Sequence, residues 1–332
     1  YNTFSSAPTI ELVQNGPLYT KYRITHNWEL PEALDSEIKV HVPHGSEWID
    51  NGQLKRSKIK KVVTIQSEII LRKGSRKVEF KTVVDNTICD HRLRVLFPSG
   101  MSGVKECITD SPFDIVKRPI AVPDSAGWYE GASRTWPTQS FVALKEGNTA
   151  FAVVHKGISE YEVSDTQSRN ICMTLLRAFR TAGNPTEAYR YQELAQCQGE
   201  HTFDYALLFG DEDLSPTQIL SEAKTFNASM RVAQTTRHTG LLESKRSFFE
   251  VSDPRFVITA VKEDEGQKGI AIRGFNAFEE AIDMDVTFNF PVVSVVKSDL
   301  EENERSALDL SKERSVSLHV GEKEIVTLLV SL

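Results

Sequence analysis

The chain has 332 residues, with 46 acidic and 39 basic side chains, a formal charge of −7 and 40% apolar residues. This mild acidity argues against a nucleic-acid-binding protein, because such a protein needs a basic face to neutralise phosphates. No apolar run reaches the roughly 18–20 residues that a membrane-spanning helix requires. The sequence therefore predicts neither a nucleic acid nor a membrane as a partner.

Two features of the sequence bear on its completeness and cellular location. The first residue is Tyr1, and the segment 1–6 has neither the basic region nor the apolar region of a signal peptide. We therefore expect the chain to begin inside a longer polypeptide. The cysteines form no CxxC pair and are interpreted as free thiols of a reducing, cytoplasmic compartment. They are Cys89, Cys107, Cys172 and Cys197.

Apolar and polar side chains alternate through much of residues 1–212, which is the pattern of half-buried antiparallel strands. Clear examples are the runs 78–84, 93–97 and 203–209. Residues 69–80 are predicted to form a hairpin around Gly74. Because such runs recur about every ten residues, the sequence predicts one large antiparallel β-sandwich domain over residues 1–212.

A helix and a smaller β domain are predicted to follow. The run Ser215-Pro216-Thr217-Gln218 has the pattern of a helix-capping box, so residues 213–244 are interpreted as a short linking helix and a polar linker. Strand patterning resumes over 245–332, which predicts a small β-sandwich domain. Its candidate strands are 257–261, 269–275, 286–290, 316–320 and 325–330. The acidic stretch 298–309 is predicted to be an exposed loop, and the fold class is all-β.

Signatures of several catalytic sites are missing from the sequence. There is no GxSxG nucleophile elbow and no glycine-rich phosphate-binding motif. His41 and His44 are close in sequence, but no neighbouring Cys or Asp completes a ligand set, so no metal site is predicted. Glu200 and His201 are adjacent, so on a strand they would point to opposite faces and could not act together as a base and an acid. Each of them could still pair with a distant residue.

The segment 128–139 combines aromatic rings with Gly and Pro. Such loops often build sugar sites, because an aromatic ring packs on the apolar face of a pyranose. Trp128, Tyr129 and Trp136 are therefore predicted to bind a carbohydrate. The alternative is that the tryptophans are core residues that plug one end of the sandwich.

A set of sequence blocks resembles the C-terminal β region of the family 38 glycoside hydrolases, the α-mannosidases. The resemblance is to the bacterial branch that includes mannosylglycerate hydrolases, and the blocks occur in the order found in that family. In the large domain they are DNTICDHRLRVLFP (85–98), SPFDIVKRP (111–119), QSFV (139–142), HKGISEYEV (155–163), TLLR (174–177) and AQCQGEHTF (195–203). In the small domain they are VITAVK (257–262) and GIAIRGFN (269–276).

The resemblance implies a large supersandwich similar to galactose mutarotase, followed by a smaller sandwich. It also implies an α-mannoside substrate, cleaved with retention of configuration by a zinc-dependent parent enzyme. In that family the zinc ligands and the aspartate nucleophile lie in an N-terminal catalytic domain, which would precede Tyr1. This chain is therefore expected to contain no catalytic residue and no cofactor of its own, and to be inactive alone. Its expected partners are the upstream catalytic domain and, as a further possibility, a second copy of the chain.

The resemblance also implies a role for Arg177, because the family has an arginine at the end of this strand that reaches the substrate pocket. Members of the animal branch have two arginines in a row where this chain has Arg177 and Ala178. A planar guanidinium suits recognition of hydroxyl and carboxylate groups, and the alternative is a structural salt bridge. Two other functions remain open at this point: a free-standing carbohydrate-binding module and a mutarotase-like epimerase.

Overall fold

The computed structural model describes residues 1–35, 55–128, 131–182, 190–191, 193–211, 214–240 and 242–332. His41, His44 and Tyr129 lie outside the described residues. The chain divides into two units. The first comprises Tyr1–Cys107, Arg118–Leu214 and Glu222–Asn227, and the second comprises Ile108–Lys117, Ser215–Ser221 and Ala228–Leu332. The division of the sequence at residues 212 and 245 stays a prediction.

Antiparallel strands make up most of the described chain. Up to residue 210 they are β1 Thr9–Asn15, β2 Tyr19–Pro31, β3 Lys60–Arg72, β4 Lys77–Asn86, β5 Arg92–Pro98, β6 Glu106–Ser111, β7 Asp114–Pro119, β8 Trp136–Pro137, β9 Phe141–Glu146, β10 Thr149–His155, β11 Glu160–Val163, β12 Asn170–Arg177, β13 Thr181–Ala182, β14 Arg190–Tyr191 and β15 Gly199–Gly210. Short 3-10 turns occur at Thr3–Ser5 and Leu194–Gln196. The all-β prediction is confirmed.

The first unit contains a large sheet and a smaller sheet that share one core. Seven strands of the large sheet follow the order β1-β2-β3-β4-β15-β10-β9, and the smaller sheet has the order β5-β12-β11-β8. Val153 and Tyr205 from the large sheet are buried in the same apolar cluster as Phe97, Tyr161 and Met173 from the smaller one. Alternation along each strand therefore turns one face of both sheets inward, as the sequence pattern predicts.

The predicted hairpin around Gly74 is confirmed. β3 ends at Arg72 and β4 begins at Lys77, with Leu71 paired to Val78. Gly74 has φ +75°, a left-handed conformation that glycine adopts without a steric penalty. The hairpin thus forms where its turn residues permit the reversal.

The capping box also forms as predicted. Helix α1 spans Pro216–Asn227, and the backbone N–H of Gln218 donates to the Ser215 side-chain oxygen at 3.2 Å. This bond satisfies one of the amide donors that a helix N-terminus leaves unpaired. Ile219 and Ala223, which are one turn apart, are both buried.

The second unit contains two further antiparallel sheets around its own core. Its later strands are β16 Phe249–Val251, β17 Phe256–Glu263, β18 Gly269–Asn276, β19 Ile282–Phe288, β20 Ser294–Ser298, β21 Glu304–Leu308, β22 Ser315–Val320 and β23 Ile325–Ser331. The sheet orders are β16-β19-β22 and β17-β18-β23-β20-β21. Met284, Val316, Val326 and Leu328 are buried together between them. The predicted small sandwich is therefore present.

The prediction that residues 298–309 form an exposed loop is wrong in part, because β21 lies within this stretch. β21 is the edge strand of its sheet and pairs with β20. Glu304 and Arg305 are exposed on it, as is common on edge strands, where charges discourage pairing with other chains. The charged residues of 298–309, which indicated a loop, thus belong in part to an edge strand whose charges discourage pairing with other chains.

The block 111–119 belongs to the hairpin of β6 and β7, and its tip lies within the second unit. The Lys323 ammonium donates to Asp114 Oδ1 at 2.6 Å, to the Ala277 carbonyl at 3.0 Å and to the Ile115 carbonyl at 3.2 Å. The Phe113 ring meets the Phe275 ring edge to face, with centroids 6.2 Å apart. These contacts give Asp114 a structural role.

Replacing Gly269 with alanine is expected to destabilise the second unit by about 1–3 kcal/mol or more. A Cβ at Gly269 would lie 1.9 Å from the Val330 carbonyl oxygen, a backbone atom that no rotamer change can move. Gly266→Ala is the matched control, since its Cβ would approach only the Asp264 side chain, at 3.4 Å. Urea unfolding of both variants measures the difference, and equal midpoints would contradict the expectation.

Candidate functional site

Arg177 is the last residue of β12 and lies opposite Arg92, the first residue of β5. A β-bulge between Thr174 and Leu176 shifts the register of this strand pair. Thr174 pairs with Arg94 and Arg177 with Arg92, so all of these side chains share one face of the smaller sheet. Without the extra residue, positions 174 and 177 would face opposite sides. The bulge therefore directs Arg177 to the polar outer face.

Glu160, on the neighbouring strand β11, lies between the two arginines. Its Oε1 accepts a hydrogen bond from the Thr174 hydroxyl at 2.6 Å and lies 3.6 Å from Arg92 Nη1. Its Oε2 lies 3.7 Å from Arg177 Nη1. The Arg177 side chain is 68% exposed, whereas that of Glu160 is 24% exposed. The structural ion pair considered for Arg177 is thus present, although it is longer than a hydrogen bond.

A second ion pair continues this face. Arg94 donates to Glu162, and the thiol of Cys172 lies in the same row because Cys172 pairs with both Glu162 and Leu96. Burial raises the pKa of the Cys172 thiol to about 11, so it is neutral at physiological pH and a poor nucleophile. The row from Arg177 to Glu162 can bind and orient polar groups, and it presents no activated nucleophile.

The sequence analysis missed Glu160 and Arg92 as members of this site. Alternation within 160–163 places Glu160 on the same strand face as Glu162, and alternation within 92–98 places Arg92 on the same face as Arg94. This alternation is the only signal in the sequence for Glu160 and Arg92. The pairing of β5, β12 and β11, which brings the two sets together, depends on contacts distant in sequence. Two guanidinium groups around one carboxylate leave a net positive charge and N–H donors directed outward.

The predicted aromatic residues are in different environments. Trp128 is 59% exposed. Trp136, in β8, packs partly buried against the core, and the Arg118 guanidinium lies 4.7 Å from the centroid of its ring. Trp136 thus has the core position that was considered as the alternative, and the carbohydrate role of Trp128 and Trp136 stays a prediction. Tyr129 lies outside the described residues.

Glu200 and His201, considered for an epimerase, are adjacent in β15 and pair with Asp85 and Val84. His201 Nε2 is 2.8 Å from the Cys197 carbonyl oxygen, and its ring stacks on Phe203 at 6.3 Å between centroids. The imidazole is therefore engaged by its own strand and the preceding turn. This arrangement does not favour the epimerase.

A buried ionic cluster in the first unit centres on Asp90, which has φ +55°. Its carboxylate accepts hydrogen bonds from Arg180 at 2.7 Å, from the Gln196 side chain at 2.8 Å and from the backbone N–H of Leu34 at 3.1 Å. Burial alone would raise the pKa of Asp90, but the donors from Gln196, Leu34 and Arg180 outweigh it and lower the pKa. The carboxylate thus joins three segments of the unit.

No group of three or more His, Cys, Asp and Glu side chains is arranged to hold a metal ion in the described part of the chain. The described residues therefore do not fit a zinc site. Among them, no helix has both the length and the apolar character needed to cross a membrane.

Comparison with known families identifies the chain. Residues 2–182 match the glycosyl hydrolases family 38 C-terminal domain, and residues 255–328 match the glycosyl hydrolases family 38 C-terminal beta sandwich domain. The chain belongs to glycoside hydrolase family 38. The resemblance seen in the sequence blocks is confirmed by these matches, which include most of the first unit and part of the second unit of the family 38 chain.

Individual relatives agree with this assignment. The chain is 27% identical over 328 residues to the "Putative mannosylglycerate hydrolase" of Halalkalibacterium halodurans. This alignment covers 99% of this chain and 35% of that protein. An α-mannosidase from Enterococcus faecalis V583 is similar in structure, with a TM-score of 0.84, 27% identity and coverage of 98% of this chain and 35% of that chain. A family 38 protein from Enterococcus faecalis has a TM-score of 0.81, 26% identity and coverage of 98% and 36%. This family 38 chain thus spans little more than a third of each relative.

Proposed function

We propose that this chain is the C-terminal β region of an α-mannosidase-type glycoside hydrolase. The observation that carries the proposal is that both matching families are C-terminal domains of family 38, and that the similarity runs over nearly the whole chain. The relatives have most of their length outside the region that this chain matches. The parent polypeptide would therefore be a hydrolase with a second, catalytic region.

In the proposed parent, hydrolysis of an α-mannoside proceeds with retention of configuration, through a carboxylate nucleophile and an acid/base. A zinc ion there would supply Lewis-acid chemistry at the sugar hydroxyls. In the family that the sequence blocks resemble, the metal and the nucleophile lie in an N-terminal catalytic domain, so we assign both to the other region of the parent. This chain alone is then inactive.

The contribution of this chain is to bind and orient substrate. The exposed guanidinium of Arg177 donates to sugar hydroxyls or to a carboxylate on the leaving group, and the Glu160 carboxylate lies 3.7 Å from it as its ion-pair partner. Exposed Trp128 would pack on a sugar face. The chain also stabilises the catalytic region against which it lies.

We also propose a cytoplasmic location for the parent. All four cysteines are free thiols, and Cys107 and Cys172 are buried. Unpaired cysteines are typical of proteins from reducing compartments.

An assay with an aryl α-mannoside tests the proposal. The parent polypeptide is expected to hydrolyse it, to lose activity on chelation and to regain activity with zinc, while this chain alone shows no turnover. Turnover by the isolated chain would contradict the division of roles. The second candidate is a carbohydrate-binding module, a function that the exposed Trp128 would suit. In that case the full gene product and this chain alone would both bind the sugar, and neither would show turnover.

A further inference from the structure

One end of the large sheet in the first unit has an apolar face that is open to solvent. Register places the face: Ile10 is opposite Ile24, Leu12 is opposite Tyr22, and Tyr22 is opposite Ile69. Residues directly opposite each other share a face, and so do residues two apart in a strand. We name this surface the β1–β3 apolar face. It consists of Ile10, Leu12, Tyr22, Ile24, Ile69 and Leu71.

Four of the six members of this face are exposed to an unusual degree for apolar side chains, and Ile24 and Ile69 are half-buried. Exposure is 62% for Ile10, 53% for Leu12 and Leu71, and 43% for Tyr22. All seven residues of β1 are exposed. β1 is also the edge strand of the sheet, so one side of its backbone is unpaired within the sheet. Contiguous apolar surface of this kind marks an interaction site.

The opposite face of the same strands has the composition of a solvent-facing surface. Glu68 accepts from Lys21 at 2.8 Å and from Arg23 at 2.9 Å, and Arg23 is also 3.8 Å from Glu11. The two faces therefore differ sharply in polarity, as in a sheet with one buried and one solvated side.

The β1–β3 apolar face is the continuation of the core-facing side of the sheet. Ile69 pairs with Phe80, and Phe80 pairs with Tyr205. The Phe80 ring packs on Phe97 of the smaller sheet, with centroids 6.0 Å apart, and Tyr205 packs on the same ring at 5.7 Å. The smaller sheet therefore covers this side at β4 and β15. Trp28, Leu30 and Val63, farther along the same side of β2 and β3, are buried in a second cluster with Leu93 of β5. Within the described ranges, none of the residues of the β1–β3 apolar face belongs to either of these two clusters.

We propose that the β1–β3 apolar face is a permanent docking surface for the additional polypeptide region that family 38 relatives carry beyond the part matched here. This inference rests on the proposed function. An apolar, uncharged face suits an interface that stays closed rather than one that opens and closes. Its occupant is therefore a tethered partner, whose covalent connection gives it a high effective concentration.

The position of the N-terminal residues supports this occupant. Ser6 Oγ donates to the Asn27 carbonyl of β2 at 3.4 Å, and β1 begins at Thr9. Polypeptide joined ahead of Tyr1 would thus reach this unit through residues that lie beside β2, one of the three strands that carry the β1–β3 apolar face. Phe4, 96% exposed, adds a further apolar side chain to this edge of the unit.

The test compares this chain with the full gene product by hydrogen exchange and by binding of the apolar dye ANS. In the full product, amides of β1–β3 are expected to exchange about tenfold or more slowly than in this chain alone. The chain alone is expected to bind ANS, and Leu12→Lys is expected to reduce that binding without changing its Tm. In the full product the same variant is expected to lower Tm and to abolish the extra protection. Thr9→Lys, on the same strand but on the opposite face, is the control. It should leave ANS binding, Tm and the extra protection from exchange unchanged.

Four results would overturn the inference. They are equal exchange in both forms, a gene product with no region beyond this chain, no ANS binding by the chain alone, and a dimer of the chain that Leu12→Lys dissociates. The last result would make a second copy the occupant. Failure of the proposed function is distinguishable: protection without α-mannosidase activity would refute that function and leave the interface standing. Activity without protection would refute the interface only.

Discussion

Replacing Asp90 with alanine is expected to lower the free energy of unfolding of the first unit by about 3–5 kcal/mol. The Asp90 side chain is 3% exposed and accepts from Arg180, Gln196 and the Leu34 backbone. Alanine would leave the Arg180 guanidinium, whose side chain is 26% exposed, without its carboxylate. The cost is large because the remaining charge has lost its partner and cannot be fully hydrated.

Urea unfolding at neutral pH measures this loss, and Asp90→Asn is the matched control. Asparagine tolerates the positive φ of Asp90 and keeps one acceptor, so its loss is expected to be smaller than that of alanine. A loss below about 1 kcal/mol for Asp90→Ala, which is the size of an ordinary surface substitution, would contradict the importance of the cluster.

The same cluster predicts a pH dependence. Since the pKa of Asp90 is lower in the folded state than its ordinary value of about 3.9, the unfolded chain takes up the proton first as pH falls. The stabilisation is therefore complete above the ordinary pKa and is lost as pH falls toward the folded pKa. We expect the difference in unfolding free energy between wild type and Asp90→Ala to shrink on acidification from pH 7 to pH 3. A constant difference would contradict the ionised state of Asp90.

Replacing Arg177 with methionine in the parent polypeptide is expected to lower kcat/KM for an α-mannoside about 10–100-fold. This is the range for loss of a hydrogen bond that involves a charged group, at about 1.5–3 kcal/mol. Methionine keeps much of the apolar length of the side chain and removes the planar donor. Because Arg177 is 68% exposed, folding stability should change little.

Two further variants separate substrate contact from structure. Arg177→Lys keeps the charge but loses the planar fork, so it should recover part of the activity. Arg94→Met removes the neighbouring ion pair with Glu162 and should affect stability more than kcat/KM. If Arg177→Met in the parent polypeptide leaves kcat/KM for the α-mannoside unchanged, Arg177 is only the ion-pair partner of Glu160.

Local sequence determined a large part of this fold. The hairpin at Gly74 follows from a residue that accepts a positive φ, and the start of α1 follows from the Ser215 oxygen that meets the Gln218 N–H. The strands follow from alternation, because the side-chain period of two is a property of the chain itself. The ordered blocks also identified the family. The turn, the helix cap and the alternation are each contained within a few consecutive residues, and the family blocks are continuous stretches of the sequence.

Tertiary structure alone decided which side chains meet. The sequence named Arg177, but only the bulge in β12 and the pairing of three strands put Glu160 and Arg92 beside it. In the same way, Asp90 meets Arg180 through a contact 90 positions apart in the sequence. Strand register and sheet order depend on the packing of the whole core, and a one-residue shift would turn every one of these side chains to the other face. Local pattern thus specifies the strands, and long-range packing specifies the site.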